Sequence, residues 1–152
     1  MRIVIQEARD ARVEVDGQVV GAIDHGEMIL VGFTHDDGEK TIDKMITKML
    51  NLRIFPDENG NTNLNLEQTN GKILAVSQFT LYADVTKGNR PSFVHALPKE
   101  EAGKLFEIFA AKLKARLPDA QFGRFHADML VTFTNVGPFT ILLDSAELGY
   151  AG

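Results

Sequence analysis

The pattern of apolar and polar residues predicts short strands in the first part of the chain. Asp16–Gly17 is a two-residue hairpin signal, and Asp24–Gly26 indicates the next turn. The continuous apolar run after that turn is typical of a strand that is buried on both faces. In chain order, the predicted strand segments are Ile3–Gln6, the alternating positions Val13 and Val15, Gln18–Ile23, and Met28–Phe33.

Two helices are predicted from apolar residues that recur three and four positions apart. Pro98 is suited to open the second helix, and Pro118 follows its end. The basic residues near that end suit the negative pole of a helix dipole. The first apolar stripe is Ile42, Met45, Ile46, Met49 and Leu50, and the second is Ala102, Leu105, Phe106, Phe109 and Leu113.

Further strands lie between and after these helices. Asn59–Gly60 is a second hairpin signal, and Asn70–Gly71 turns the chain into another apolar run. We therefore predict a mixed α/β fold in a single domain over residues 1–152. Its two helices cover one face of the sheet, or plug a sheet that curls on itself. The remaining predicted strands are Arg53–Phe55, Thr62–Leu66, Lys72–Phe79, Gln121–Phe125, Met129–Asn135 and Phe139–Asp144.

Composition narrows the possible functions. The 152 residues include no cysteine, which excludes disulfides and thiolate metal sites. The four histidines form no HxxxH pair, and we expect neither a metal nor another cofactor. We expect no secretory signal and no membrane span. Because the net charge is −5, an RNA partner would have to meet a local basic patch or a small pocket.

Residues 77–82, with the sequence SQFTLY, place several polar side chains where an apolar strand ends. A buried strand end has to satisfy each of these polar groups, and functional sites are commonly placed at such ends. From the residues alone, a strand cap lined by hydroxyl groups and a functional site both remain open.

Two further segments carry candidate chemistry. In residues 135–140, NVGPFT, a Gly-Pro pair interrupts what would otherwise be one long strand, because proline cannot donate to a sheet. This pair is either punctuation between two strands or a functional bend, and the sequence does not define the isomer of the Gly137–Pro138 bond. Lys87–Phe93 is a short basic loop, which is either solvated or in contact with phosphate.

At these segments the chain resembles the D-aminoacyl-tRNA deacylase family. The matching stretches occur in the family's order with almost no change in length, and they span residues 1 to 145. They are MRIVIQ, VDGQVVGAI, NLRIFPDENG, SQFTLYAD with KGNRPSF, GRF and ADM around residues 123–129, and GPFTILLDS. SQFTLY together with a downstream Gly-Pro-x-Thr is a specific combination.

The resemblance implies a mixed sheet curled towards a barrel, with two helices in a β(2)-(βα)2-β(3)-like order, and a twofold homodimer. It also implies an enzyme, a hydrolase that cleaves the ester joining a D-amino acid to the terminal adenosine of tRNA. Glycine is removed from some tRNAs as well. Ser77, Gln78, Phe79 and Thr80 match the family's first motif and would form the pocket floor as the catalytic residues.

Gly137 and Pro138 match the family's second motif. In the family their peptide bond is cis and reaches into the partner's pocket, where two backbone carbonyls would accept the substrate's ammonium group. A D side chain would then point to solvent, whereas an L side chain would collide with the loop. Met129 would line the pocket beside them.

The implied reaction needs mainly positioning and oxyanion stabilisation, because an aminoacyl ester is already activated. The N–H groups of Phe79 and Thr80 are candidate oxyanion donors. We favour attack by water with help from the ribose 2′-hydroxyl. A Thr80 nucleophile is the alternative, but no His or Lys lies nearby in sequence to activate it.

Lys87, Arg90 and Arg124 are the candidate contacts to tRNA phosphates, and we expect a cytoplasmic protein. Two other classes of function remain open. One is a non-catalytic homodimer that binds tRNA ends or other nucleic acid, and the other is an esterase of loose specificity.

Several positions depart from the family pattern. Glu7 stands where Arg is common, at a position that is expected to help orient the Gly-Pro loop. Thr62 replaces a usual Met. His126 replaces a usual Gly, where it is either a neutral surface substitution or adds a polar group near the pocket. Val136 and Phe139 flank the Gly-Pro pair in place of Asp or Asn and Val. These differences bear on the strictness of L-rejection more than on the reaction type.

Overall fold

The computed structural model describes residues 1–151, which form seven strands and two α-helices. Two 3-10 turns, Glu67–Thr69 and Phe79–Tyr82, flank the fifth strand. In chain order, the elements are β1 (Arg2–Val15), β2 (Gln18–Gly32), α1 (Glu39–Asn51), β3 (Phe55–Pro56), β4 (Thr62–Leu64), β5 (Lys72–Ser77), α2 (Lys99–Arg116), β6 (Gln121–Phe122) and β7 (Leu130–Asp144).

The main sheet is mixed and has five strands in the order β6-β5-β2-β1-β7, while β3 and β4 pair separately. β1 runs antiparallel to β2 and to β7, whereas β5 runs parallel to β2 and to β6. This confirms the predicted α/β class. In the described part of the chain, β6 and β7 are unpaired edges, so the expected curl towards a barrel is not confirmed. The single domain over residues 1–152 stays a prediction.

The first hairpin is longer than predicted. Asp16 and Gly17 form its turn with positive φ values of 49° and 77°, as expected for a tight hairpin. The predicted turn at Asp24–Gly26 is wrong, because β2 continues through it. Gly26 is required there by packing, since a Cβ at this position would lie 1.9 Å from the carbonyl oxygen of Lys72 on β5.

The later strands also differ from the prediction. β5 ends at Ser77 instead of Phe79, and the chain then enters the 3-10 turn. β6 is limited to Gln121–Phe122. The two predicted strands on either side of Gly137–Pro138 are one strand, β7, because β1 pairs with it both before and after this dipeptide.

Both helices pack against one face of the sheet, which is the first of the two predicted arrangements. Ile3, Ile5 and Ile29 from the sheet meet Met45 and Phe109 from the helices in a fully buried core. The opposite face carries a smaller cluster, against which several apolar side chains pack while only partly buried. These are Val20, Leu30, Met129, Val131 and Phe133. Neither helix within residues 1–151 has the length and apolar character that a membrane crossing requires.

Candidate functional site

A cavity of about 780 Å³ opens where β5 ends. Its volume falls within the range of small-molecule sites. Ser77, Gln78, Phe79 and Met129, which the sequence predicted as site residues, all line it, whereas Thr80 is exposed and does not. The lining also includes Phe93 from the predicted basic loop, together with residues that sequence reasoning did not assign to a site, among them Phe33, His35, Lys99 and Phe125.

The end of β5 leaves two backbone donors free. The Gln78 N–H donates to the Val31 carbonyl at 2.7 Å, and the Leu81 N–H donates back to the Gln78 carbonyl at 3.4 Å. Between these two bonds, the N–H groups of Phe79 and Thr80 have no hydrogen-bond partner within residues 1–151. Adjacent free N–H groups of this kind can stabilise a developing oxyanion.

Arg2, the first residue of β1, holds the 3-10 turn of Phe79–Tyr82 in place. Its Nη1 donates to the Leu81 carbonyl at 2.7 Å, its Nε donates to Asp144 Oδ2 at 2.9 Å, and its guanidinium lies 4.5 Å from the centre of the Tyr82 ring. Burial raises the pKa of Asp144, but hydrogen bonds from Arg2 and from the Ala146 N–H outweigh it and leave the pKa below its ordinary value. Sequence reasoning missed Arg2, because its partners lie 79 and 142 positions away.

The surroundings of Thr80 bear on its possible role as a nucleophile. Within residues 1–151, no His or Lys side chain is hydrogen-bonded to its hydroxyl. A threonine hydroxyl needs an adjacent base to become nucleophilic. Among the described residues, Thr80 therefore has no base in place to activate its hydroxyl.

A basic loop lies next to the pocket rim. Phe79 contacts Phe93 edge-to-face, with ring centres 5.0 Å apart. The loop between them is closed by paired backbone bonds of 2.7 and 2.8 Å between Asp84 and Ser92. Lys87 and Arg90 are exposed on this loop and do not line the pocket.

Residues 124–129 form the opposite side of the rim. Arg124 is exposed and outside the lining, whereas His126 lines the pocket with a φ of 59°. A positive φ of this size is one that glycine adopts without strain and that other residues adopt rarely. His35 is exposed but also lines the pocket, with Nε2 2.9 Å from the Val94 carbonyl oxygen.

Gly137 and Pro138 lie in a bulge of the edge strand β7, and the bond between them is cis. Gln6 pairs with Thr140 and Ala8 pairs with Asn135, so residues 136–139 stand opposite the single residue Glu7. The Phe139 N–H donates to Asn135 Oδ1 at 3.1 Å and closes the bulge. Both Gly137 and Pro138 are exposed, and neither lines the pocket of its own chain.

No group of three or more His, Asp or Glu side chains that could hold a metal ion occurs in the described part of the chain.

Residues 4–144 match the model of a protein family that is described as "D-Tyr-tRNA(Tyr) deacylase". This chain belongs to that family. The matched range contains the residues that line the pocket and the Gly137–Pro138 bulge, whereas Arg2 lies just before it. A D-aminoacyl-tRNA deacylase of Clostridium tetani is 47% identical over 148 residues, which cover 97% of this chain and 99% of the relative. A D-aminoacyl-tRNA deacylase of Kosmotoga olearia is 50% identical over 147 residues, with the same coverage of both chains.

A solved structure has the same fold. It is described as the c-Myc DNA Unwinding Element Binding Protein, and it superposes with a TM-score of 0.90 at 38% sequence identity. The match covers 95% of this chain and 99% of the other.

Proposed function

We propose that this protein hydrolyses the ester bond of D-aminoacyl-tRNA and releases a free D-amino acid and tRNA. The observation that carries the proposal is the pair of free N–H groups, on Phe79 and Thr80, beside the cavity at the end of β5. Membership of a deacylase family supports the same reaction. The curated relatives that match nearly the whole chain bear the name of this activity.

In the proposed reaction, water attacks the carbonyl carbon of the ester. The carbonyl oxygen becomes an oxyanion that accepts hydrogen bonds from the N–H groups of Phe79 and Thr80. The bond to the ribose oxygen then breaks, and the neighbouring 2′-hydroxyl assists the transfer of the water proton to that oxygen. Ser77 and Gln78 form the floor on which the acyl group is positioned.

We further propose that the site is completed by a second copy of the chain. Gly137 and Pro138 do not line the pocket of their own chain, which supports a role in the pocket of a partner. There, their carbonyls would accept the substrate's ammonium group, which has donors only. Partly buried apolar side chains on the open sheet face, including Val131 and Phe133, fit a homodimer, because contiguous apolar surface is commonly covered by a partner.

Selection between the two hands of amino acid would then be steric. With the ammonium group and the ester both fixed, a D side chain points to solvent and an L side chain meets the bulge. Glycine has no side chain to collide, so glycyl-tRNA is also a substrate. Met129 lines the wall beside the acyl group.

The tRNA itself would be held at its terminal adenosine, with exposed Lys87, Arg90 and Arg124 near phosphates. Because few phosphates are contacted, a net charge of −5 is compatible with binding. Aminoacyl-tRNA is made and used in the cytoplasm, and we place the protein there, in the quality control of translation.

A second candidate is a homodimer that binds nucleic acid without turnover. It is favoured by the solved structure at 38% identity whose description names DNA binding. The departures around the bulge, Glu7 and Phe139, are compatible with it.

One assay separates these functions. The purified protein is incubated with D-Tyr-tRNA and with L-Tyr-tRNA, and ester loss is measured against a blank without protein. We expect loss of the D ester alone. Binding of both tRNAs without ester loss would favour the second candidate, and equal loss of both esters would point to an esterase without chiral selection.

A further inference from the structure

Two glutamates face each other inside the sheet, on adjacent strands. Glu7 on β1 and Glu27 on β2 are direct antiparallel partners, so their side chains lie side by side on the same face. Glu7 is 7% exposed and Glu27 is 0% exposed. Oε1 of Glu7 and both carboxyl oxygens of Glu27 have no hydrogen-bond partner among the described residues. Buried carboxyl oxygens without partners are rare and call for an explanation.

The surroundings of this pair are apolar on one side and charged on the other. Ile5 and Ile29 form the neighbouring register pair on the same face, and Ile73 of β5 is the register partner of Glu27. On the other side, the neighbouring register pair on this face is Arg9 and His25, and both residues are exposed. No cationic side chain within residues 1–151 forms an ion pair with either carboxyl. Burial and, as the smaller cause, the nearby charge of Glu7 together raise the pKa of Glu27 to about 8. Burial also raises the pKa of Glu7.

The pair lies directly behind the bulge of β7. Glu7 is the single residue of β1 opposite residues 136–139, and Gln6 and Ala8 pair normally on either side of it. The bulge itself is closed by the bond from the Phe139 N–H to Asn135. A displacement of Glu7 therefore acts on the segment that contains Gly137 and Pro138.

We propose that Glu27 is a positioning residue for the Gly137–Pro138 bulge. While Glu27 is uncharged, Glu7 can remain beside it; when Glu27 ionises, two like charges meet in an apolar setting and Glu7 is pushed towards the bulge. Like charges at such short range in a low-dielectric interior repel strongly. Its effect on catalysis rests on the proposed function.

The first test follows the bulge directly. In protein labelled with carbon-13 at glycine carbonyls and glutamate carboxyls, the Gly137 and Glu27 signals are recorded from about pH 6 to about pH 10, around the pKa of about 8. We expect the Gly137 signal to shift with the same midpoint as the Glu27 carboxyl. Glu27→Gln should abolish the shift, because glutamine has the same shape but cannot ionise. Glu14→Gln, which lies on β1 with Glu7 and opposite Leu130 of β7, should leave it unchanged.

The second test measures kcat/KM for D-Tyr-tRNA over the same pH range, corrected for spontaneous hydrolysis. Relative to Glu27→Gln, we expect the wild-type protein to lose about tenfold on the alkaline side of the Glu27 midpoint. The Glu14→Gln variant should follow the wild type.

Two outcomes would overturn the positioning role. One is a Gly137 signal that stays constant while Glu27 titrates, and the other is a Glu27 carboxyl that titrates near its ordinary value of 4.5. Absence of hydrolysis in every variant, with the Gly137 shift intact in the wild type and abolished in Glu27→Gln, would support the coupling and refute the proposed function instead.

Discussion

The pocket at the end of β5 and the bulge in β7 are supported in opposite ways. Beneath the pocket, the polar groups are paired: Arg2 bonds both to the Leu81 carbonyl and to Asp144. Behind the bulge, Glu7 and Glu27 leave three carboxyl oxygens without partners. Satisfied polar groups stabilise a fold, whereas buried charges without partners destabilise it and make it sensitive to pH.

Because of this difference, we expect the pocket and the bulge to respond differently to substitutions. The pocket is walled mainly by side chains from several segments, so a change to one of them should alter the site locally. The bulge presents backbone, and its shape depends on Gly137 and on the strand behind it. We therefore expect the bulge to be the less tolerant of the two regions, and the following variants test that expectation.

The largest expected effect is the pH dependence of stability caused by Glu27. Its carboxyl ionises near 4.5 in the unfolded chain but near 8 in the folded protein, so the folded protein holds the proton more tightly. Its contribution to stability is fully present below pH 4.5 and is lost as the pH rises to 8. The difference between these two pKa values corresponds to a loss of roughly 5 kcal/mol in the free energy of unfolding.

Urea unfolding of the wild type and of Glu27→Gln at several pH values measures this contribution of Glu27 to stability. The difference in the free energy of unfolding between the two proteins should change steadily between pH 4.5 and pH 8. Asp144 provides a contrast near the pocket, since its lowered pKa predicts a stability that is lost as the pH falls into the acid range. A difference that is independent of pH would mean that the glutamate pair is not as buried as described.

The next largest effect is expected for Gly137→Ala. Gly137 has a φ of 122°, and an added Cβ would lie 3.0 Å from the Phe139 nitrogen and 3.2 Å from its Cβ. The bulge would have to move, and a shift of its carbonyls by about 1 Å costs about 100-fold in kcat/KM. Gly149→Ala is the matched control, because Gly149 also has a positive φ of 71° but has open space around it. Full activity of Gly137→Ala would place the chiral selection elsewhere.

These two regions also differ in how far the sequence predicted them. The end of β5 was located to within two residues, because an apolar run that meets polar residues is a local signal. The turn of Phe79–Tyr82 was missed, because FTLY continues the apolar pattern of a strand. The rim residues Phe93 and Phe125 come from distant segments, and only the tertiary fold brings them together.

The bulge was predicted less well than the pocket. A Gly-Pro pair locally indicates a break, and the sequence predicted two strands there. The strand is continuous because its partner β1 runs alongside both halves, and the identity of that partner is not a local property. The predicted turn at Asp24–Gly26 is wrong for the same reason, because the neighbouring strand is again not a local property. Gly26 is required by the close approach of β5, not by a turn.

A smaller effect, an increase in stability, is expected for His126→Gly. His126 has a φ of 59°, which glycine adopts without a steric cost. We expect a gain of up to about 1 kcal/mol in the free energy of unfolding, measured in urea. His25 lies within β2 with no positive φ, so His25→Gly should instead lose about 0.5–1 kcal/mol. A loss of stability in His126→Gly would show that its side chain makes contacts that outweigh the backbone cost.

The smallest effect is expected for Thr80→Ala, which tests how the pocket performs the reaction. Thr80 is exposed and has no His or Lys bonded to its hydroxyl, while its N–H remains available after the substitution. If the backbone acts and water attacks, kcat should fall by less than about tenfold. Thr62→Ala, in the β3–β4 hairpin, controls for loss of a threonine hydroxyl away from the site. Complete loss of turnover with unchanged tRNA binding would instead identify the Thr80 hydroxyl as the nucleophile. Turnover in the pocket would then depend on one side chain, and the pocket would be the less tolerant of the two regions.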